Sequence, residues 1–213
     1  MQLIGFLFLF IIATSVVSKA LGAKFEDDLD EIDKTLRNIA KDKGKYLISI
    51  TFDLVSHITI IILACALYYV FSPINGSLAL LGTILRIVEG VILAVVEINN
   101  LVLLTVSQDY IAAEGAEVGA LETTSRTIIL REKRGFTIGL AFFALGALAY
   151  STLFISSKAV PLALAWLGVI ASVLAFTGIW LRHFRPKLPY IYQIGFLLMI
   201  LFEIILGFWL LFS

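Results

Sequence analysis

The sequence predicts an all-α membrane protein: a bundle of six transmembrane helices, with one interfacial amphipathic helix between the first and second spans. Three observations lead there. Hydrophobic residues make up 60% of the 213 and charged residues 15%, and the mean hydropathy is +1.00, outside the range of soluble globular domains. The charges are bunched, mostly at 19–45, 109–134 and 182–187, with apolar stretches between them. Six of those stretches, at a rise of about 1.5 Å per residue, are long enough to cover a ~30 Å hydrocarbon core.

The spans fall at about 2–19, 47–71, 78–106, 136–157, 161–181 and 189–212, within a single integral membrane domain covering 1–213. The first, "MQLIGFLFLFIIATSVVSKA", also has the outline of a signal peptide, because Ser18-Lys19-Ala20 loosely fits a small-x-small cleavage site. It lacks a Lys or Arg ahead of the apolar run, so a retained span is expected. Between spans one and two, Phe25, Leu29, Ile32, Leu36 and Ile39 recur at spacings of four and three, which draws one narrow apolar stripe on a helix over about 25–43. Acids dominate its first half and bases its second, the order that the helix dipole favours. Gly44 marks its expected end. Such a helix either lies along the headgroups or caps the bundle. Its seam also suits docking of a partner membrane protein or a second copy.

"FSPINGS" (71–77) reads as a tight turn joining spans two and three into a hairpin. "SSKAVP" (156–161) plays the same part between spans four and five, with Pro161 opening a helix, and "RHFRPKLP" (182–189) separates spans five and six. Loops one, three and five then share a side and hold nearly every basic residue outside the spans, against Lys158 on the other side. The positive-inside rule puts those three loops in the cytoplasm and both termini outside it. Sixteen basic and sixteen acidic residues cancel, so no nucleic-acid partner is implied; the expected surroundings are the lipid bilayer. The lone Cys65 excludes an internal disulfide and a multi-cysteine metal site.

The third span raises the functional question. In "LRIVEGVILAVVEINNLVLL" (85–104), Arg86, Glu89 and Glu97 sit in an otherwise apolar run, although a charge at bilayer depth costs at least ~2.5–3.5 kcal/mol on insertion scales. At ~100° per residue, Arg86, Glu89, Gly90, Glu97, Asn100, Ser107 and Gln108 share an arc of roughly 100°. That polar face should look into the bundle. Arg86 and Glu89, at i,i+3, can pair. The second span adds Ser49, Asp53 and His57, and the sixth adds Glu203. Threading the spans antiparallel puts Asp53 and Glu97 near ~10–13 Å from the loop-one side, His57 near ~16 Å, Glu203 and Glu89 at ~21–25 Å, and Arg86 deepest. The set Arg86, Glu89, Glu97, Asn100, Asp53, His57 and Glu203 can line one polar track.

Three readings of that track stand side by side. Its charges neutralise one another and fix helix register; or they form a transport or proton path; or carboxylates and histidine build a metal or catalytic site. No HExxH or paired-histidine spacing occurs, so no metal and no catalytic residue is assigned. Haem is not expected either, because His57 lies mid-span and His183 at a helix end. In spans four and five, Gly139, Gly146, Gly168, Ala171, Ala175 and Gly178 let helix backbones approach closely, or leave a groove for a ligand. Trp166, Trp180, Tyr190, Tyr192 and Trp209 fall near span ends, as aromatic belts do.

Two segments resemble a known family. "LRIVEGVILAVVEINNLVLLTVSQDY" (85–110) and "GLAFFALGALAYSTLFISSKAVPLALAWLGVIA" (139–171) are similar to the bacterial and archaeal membrane proteins catalogued as domain of unknown function 4386. The first matches an R-x-x-E followed by an apolar run closing on L-T-x-S-Q-D-Y. The second matches a small-residue helix, a basic residue, then V-P and Trp-Leu-Gly. The resemblance implies six helices in this order in a prokaryotic plasma membrane, and it picks out Arg86, Glu89, Ser107, Gln108, Lys158 and Pro161. It implies no chemistry and no cofactor. This chain departs from the pattern in starting Met-Gln without basic residues, and in its charged "LREKRG" (130–135).

The function expected first is therefore a non-enzymatic multi-pass protein that binds or passes a small ligand, ion or proton along the track. The alternative is a structural or accessory subunit whose 25–43 helix docks a partner. An intramembrane enzyme comes third.

Overall fold

The computed structural model describes residues 1–25, 29–184 and 189–213, with the side chains of all of these except 24, 182–184, 189 and 190. Among the described residues seven α-helices follow one another: α1 (Gln2–Gly22), α2 (Ile32–Lys41), α3 (Lys43–Phe71), α4 (Gly76–Ala112), α5 (Ala116–Ser157), α6 (Leu162–Phe184) and α7 (Pro189–Phe212). No strand occurs among the described residues. Among the described residues six helices, all but α2, are long and apolar enough to cross a membrane.

The hairpins form where the turn residues stand. Asn75 caps α4 by accepting a hydrogen bond from the Leu78 N–H at 3.0 Å, which satisfies one of the free donors of a helix start. Pro161 precedes α6, and its carbonyl accepts from Leu164 and Ala165. Lys158 closes α5 in the left-handed conformation, with φ 56. That conformation costs an L-residue roughly 1–2 kcal/mol that glycine does not incur. Lys158→Gly is therefore expected to raise stability by about 1 kcal/mol, read as a higher unfolding midpoint in detergent. A lower midpoint would mean that the lysine side chain holds the turn.

Two expectations are corrected. The amphipathic helix does not run over 25–43: α2 spans only Ile32–Lys41, preceded by a 3-10 turn at Ala23–Phe25, and 26–28 lie outside the described residues. Gly44 does not end it. Asp42, at φ −115 and ψ 41, is the one non-helical residue between α2 and α3, so the chain changes direction before Gly44, which belongs to α3. Loop three likewise shrinks to 113–115, where Gly115 takes φ 62. The charged stretch around it is helix. α4 and α5 have 37 and 42 residues, roughly 55–63 Å of helix, and so run past any ~30 Å core.

The extension exists because its inner face is apolar. Ile128 and Ile129 of α5 join Leu103, Leu104 and Tyr110 of α4, Tyr46 and Ile50 of α3, Phe25, and Ile32, Leu36 and Ile39 of α2 in one core. The apolar stripe of α2 thus faces this chain's own helices. The Tyr110 hydroxyl lies 2.9 Å from both the Asp33 and Glu122 carboxylates. Arg37 donates to Asp33 at 2.7 Å and stacks over the Tyr110 ring at 5.6 Å. The Arg37 hydrogen bond, then that of Tyr110, holds the Asp33 carboxyl below its usual range. Arg126 donates to the Leu29 carbonyl.

The six long helices close a ring in the order α1, α3, α4, α5, α6, α7 and back to α1. A second core fills the end away from α2. It includes Phe8 of α1, Leu63, Leu67 and Phe71 of α3, Phe154 of α5, Leu164 of α6, and Phe202 and Leu206 of α7. Phe71 and Phe154 meet edge to face at 5.0 Å.

Candidate functional site

The polar residues of the spans sort into two clusters instead of one track. The inner cluster centres on Arg86. One helical turn along α4 brings Glu89 beside it, and the Arg86 Nη1 lies 3.1 Å from Glu89 Oε2. Neither atom makes a well-aligned hydrogen bond among the described residues, so the contact is ionic and off-axis. Across the ring, Glu203 of α7 stands 3.9 Å from Nη2. The Arg86 side chain is 5% exposed, Glu89 4% and Glu203 13%. The guanidinium also lies 4.8 Å from the Phe143 ring centre, where the negative face of the ring attracts a cation.

Gly146 makes this position possible: a Cβ there would stand 2.9 Å from Arg86 Cγ and Cδ. Close by, Thr83 and Tyr150 share a 2.7 Å hydrogen bond, and the Tyr150 hydroxyl reaches the Ala64 carbonyl at 3.2 Å. The void left beside Arg86 and Glu203 is about 10 Å³. That is around the limit for a single water molecule.

The outer cluster is open. A cavity of about 430 Å³ at the α2 end is lined by Ser18, Tyr46, Asp53, Glu97 and Asn100, with Lys19, Glu132 and Lys133 also on its wall. Ser18 donates to Asp53 Oδ2 at 2.5 Å. Asn100 donates to Glu97 Oε2 at 2.9 Å, and the Tyr46 hydroxyl reaches Asn100 Oδ1 at 3.5 Å. Behind Glu97, its Oε1 lies 3.5 Å from His57 Nε2, and the His57 ring is buried. The His57 Nδ1 has no hydrogen-bond partner among the described residues. No group of three or more His, Cys, Asp or Glu able to hold a metal occurs among the described residues.

Apolar packing separates the clusters. Glu89 and Glu97 are eight positions apart, roughly 12 Å along the helix. Buried Leu93 lies between them on the same face of α4 and fits against Gly139, where a Cβ would come within 2.8 Å. Of the remaining sequence candidates, Ser107 is buried and donates to the Leu104 carbonyl. Gln108 is exposed. Lys158 and Pro161 sit at the far turn between α5 and α6, and the side chain of His183 lies outside the described residues.

Sequence reasoning missed Ser18, Tyr46, Thr83 and Tyr150. Two had a visible signal, a serine among the apolar residues of span one and a tyrosine inside "GALAYS". Tyr46 and Thr83 carried none, since both are ordinary residues near a span end.

Six helices long and apolar enough to cross a membrane, ringed around buried ionic groups, give the chain the character of a helical multi-pass membrane protein. Residues 3–213 match the family described as Domain of unknown function (DUF4386), and the chain belongs to that family. No curated protein and no solved structure matches it.

Proposed function

We propose that this protein resides in the cell membrane and binds a small polar ligand in the outer cavity, entering from the side of loops one and three. One observation carries the reading: the cavity opens at that end and ends on Asp53 and Glu97, while the phenylalanine and leucine core fills the other end of the ring. Such a shape favours binding over free passage of an ion or proton. Two carboxylates at the floor suit a ligand end that is cationic or donates hydrogen bonds. Lys19 on the wall suits a second, anionic end.

Thermal unfolding of the purified chain in detergent tests this with ethanolamine, choline and glycine, and with acetate as an anionic control. At least one of the first three should raise the midpoint of the wild type, and Asp53→Asn or Glu97→Gln should abolish the rise. Equal responses in wild type and both variants would overturn the reading.

We also place loops one, three and five in the cytoplasm, because they and the helix ends that flank them, over 19–45, 107–135 and 182–188, hold nearly all the basic residues outside the apolar spans. With Cys65 replaced, a cysteine at exposed Ser156 should be labelled from outside intact cells by an impermeant maleimide, and one at exposed Lys34 should not. The opposite pattern inverts the assignment.

A further inference from the structure

The outer wall of the bundle carries a groove that the polar cavity does not explain. It runs between α5 and α6 and has a volume of about 670 Å³. Arg134, Ile138, Ala141 and Leu145 form one stripe of α5 along it, at steps of four, three and four, and Phe176 and Trp180 of α6 face them. Ile138 is 52% exposed and Trp180 47%, so the groove opens on the surface that the fold turns to lipid. From Arg134 to Leu145 the stripe is roughly 16 Å long, about half of a ~30 Å hydrocarbon core. The groove therefore has the length of one leaflet.

Its two ends differ in chemistry. The Leu145 end is wholly apolar. At the other end Arg134, which makes no ion pair among the described residues, stands exposed beside Trp180, a residue that favours headgroup depth. An apolar slot of one-leaflet length with a cation at its headgroup end is complementary to a single amphiphile with an anionic head. A partner helix would cross both leaflets and would leave the charge without a counterpart. Basic pockets between membrane helices are known to take anionic headgroups.

We propose that the α5–α6 groove binds an anionic phospholipid of the leaflet on the loop-three side, its acyl chain along Ile138, Ala141 and Leu145 and its phosphate on Arg134. The site is independent of the polar cavity, and its failure leaves the reading of that cavity intact.

The test uses the full chain in detergent, titrated with phosphatidylglycerol or with phosphatidylcholine of the same acyl composition. Phosphatidylglycerol should raise the unfolding midpoint of the wild type by several degrees more than phosphatidylcholine. Arg134→Gln should remove that difference. Arg131→Gln changes an exposed cation of the same helix that does not line the groove, and should leave the difference in place. Ala141→Phe, which fills the slot, should reduce the response to both lipids; if it fails to fold, the two arginine variants decide alone. Equal responses of the wild type to both lipids would overturn the proposal. So would a preference that survives Arg134→Gln, or one lost equally in Arg131→Gln.

Discussion

Arg86→Ala should lower the unfolding free energy by about 3–5 kcal/mol, the usual cost of stranding one partner of a buried ion pair. The side chain faces Glu89 at 3.1 Å and Glu203 at 3.9 Å, and its removal leaves both carboxylates without a cation. Adding Glu89→Gln removes one stranded charge, so the double variant should recover part of the loss. Arg86→Lys should not restore the wild-type value. A lysine offers a point charge in place of a planar group that spans two carboxylates and lies over Phe143. A double variant no more stable than Arg86→Ala would show that Glu89 is not a charge that Arg86 neutralises.

Gly195→Ala should be among the most disruptive single-methyl changes in the bundle. A Cβ at Gly195 would stand 2.5 Å from the Ala175 backbone nitrogen, and one at Gly178 would stand 2.6 Å from Tyr192 Cα. The two helices meet there backbone to backbone, so no side chain can rotate aside. Overpacking of this kind costs about 1–3 kcal/mol, and the strain falls on the α6–α7 contact. Gly44→Ala is the matched control. It lies in the first turn of α3 with nothing within 4 Å of its added Cβ, and replacing an unstrained helical glycine by alanine stabilises by up to about 0.5–1 kcal/mol. Opposite signs for the two substitutions, measured by unfolding in detergent, are expected. A shared sign would mean that α6 and α7 are not in backbone contact at Gly195.

The helices were legible because burial in lipid imposes length and apolarity on each span separately, and both are local properties of the chain. The turns at Asn75 and Pro161 were legible for a similar reason, since each acts within a few residues. Helix ends were harder. Charges at 109–134 look like loop when hydropathy is the guide, yet Ile128 and Ile129 point inward onto α2, and that partner is remote in sequence. The polar face of α4 could be read from its period. Its division into two clusters could not, because that depends on Leu93 meeting Gly139 of another helix. Gly178 drew notice as one of a set of small residues, whereas Gly195 stands alone among large ones. Its role appears only when α6 is laid against it.

The contact between α1 and α7 sets a timetable for making the protein. A Cβ at Gly5 would collide with the Leu211 backbone nitrogen at 2.5 Å, and one at Gly207 would meet the Leu9 side chain at 2.8 Å. The two helices that close the ring are thus the first and the last of the sequence in hand, about 200 residues apart. At ~5–20 residues per second, translation delivers α7 roughly 10–40 s after α1. For most of that interval, once α3 has followed, α1 has α3 on one flank and an unfilled glycine face on the other, and Arg86 is in place before Glu203 exists. Lipid, or an insertion factor, must cover that face until the final helix arrives, so a ribosome stalled before α7 would leave this half-built ring as the form open to proteolysis.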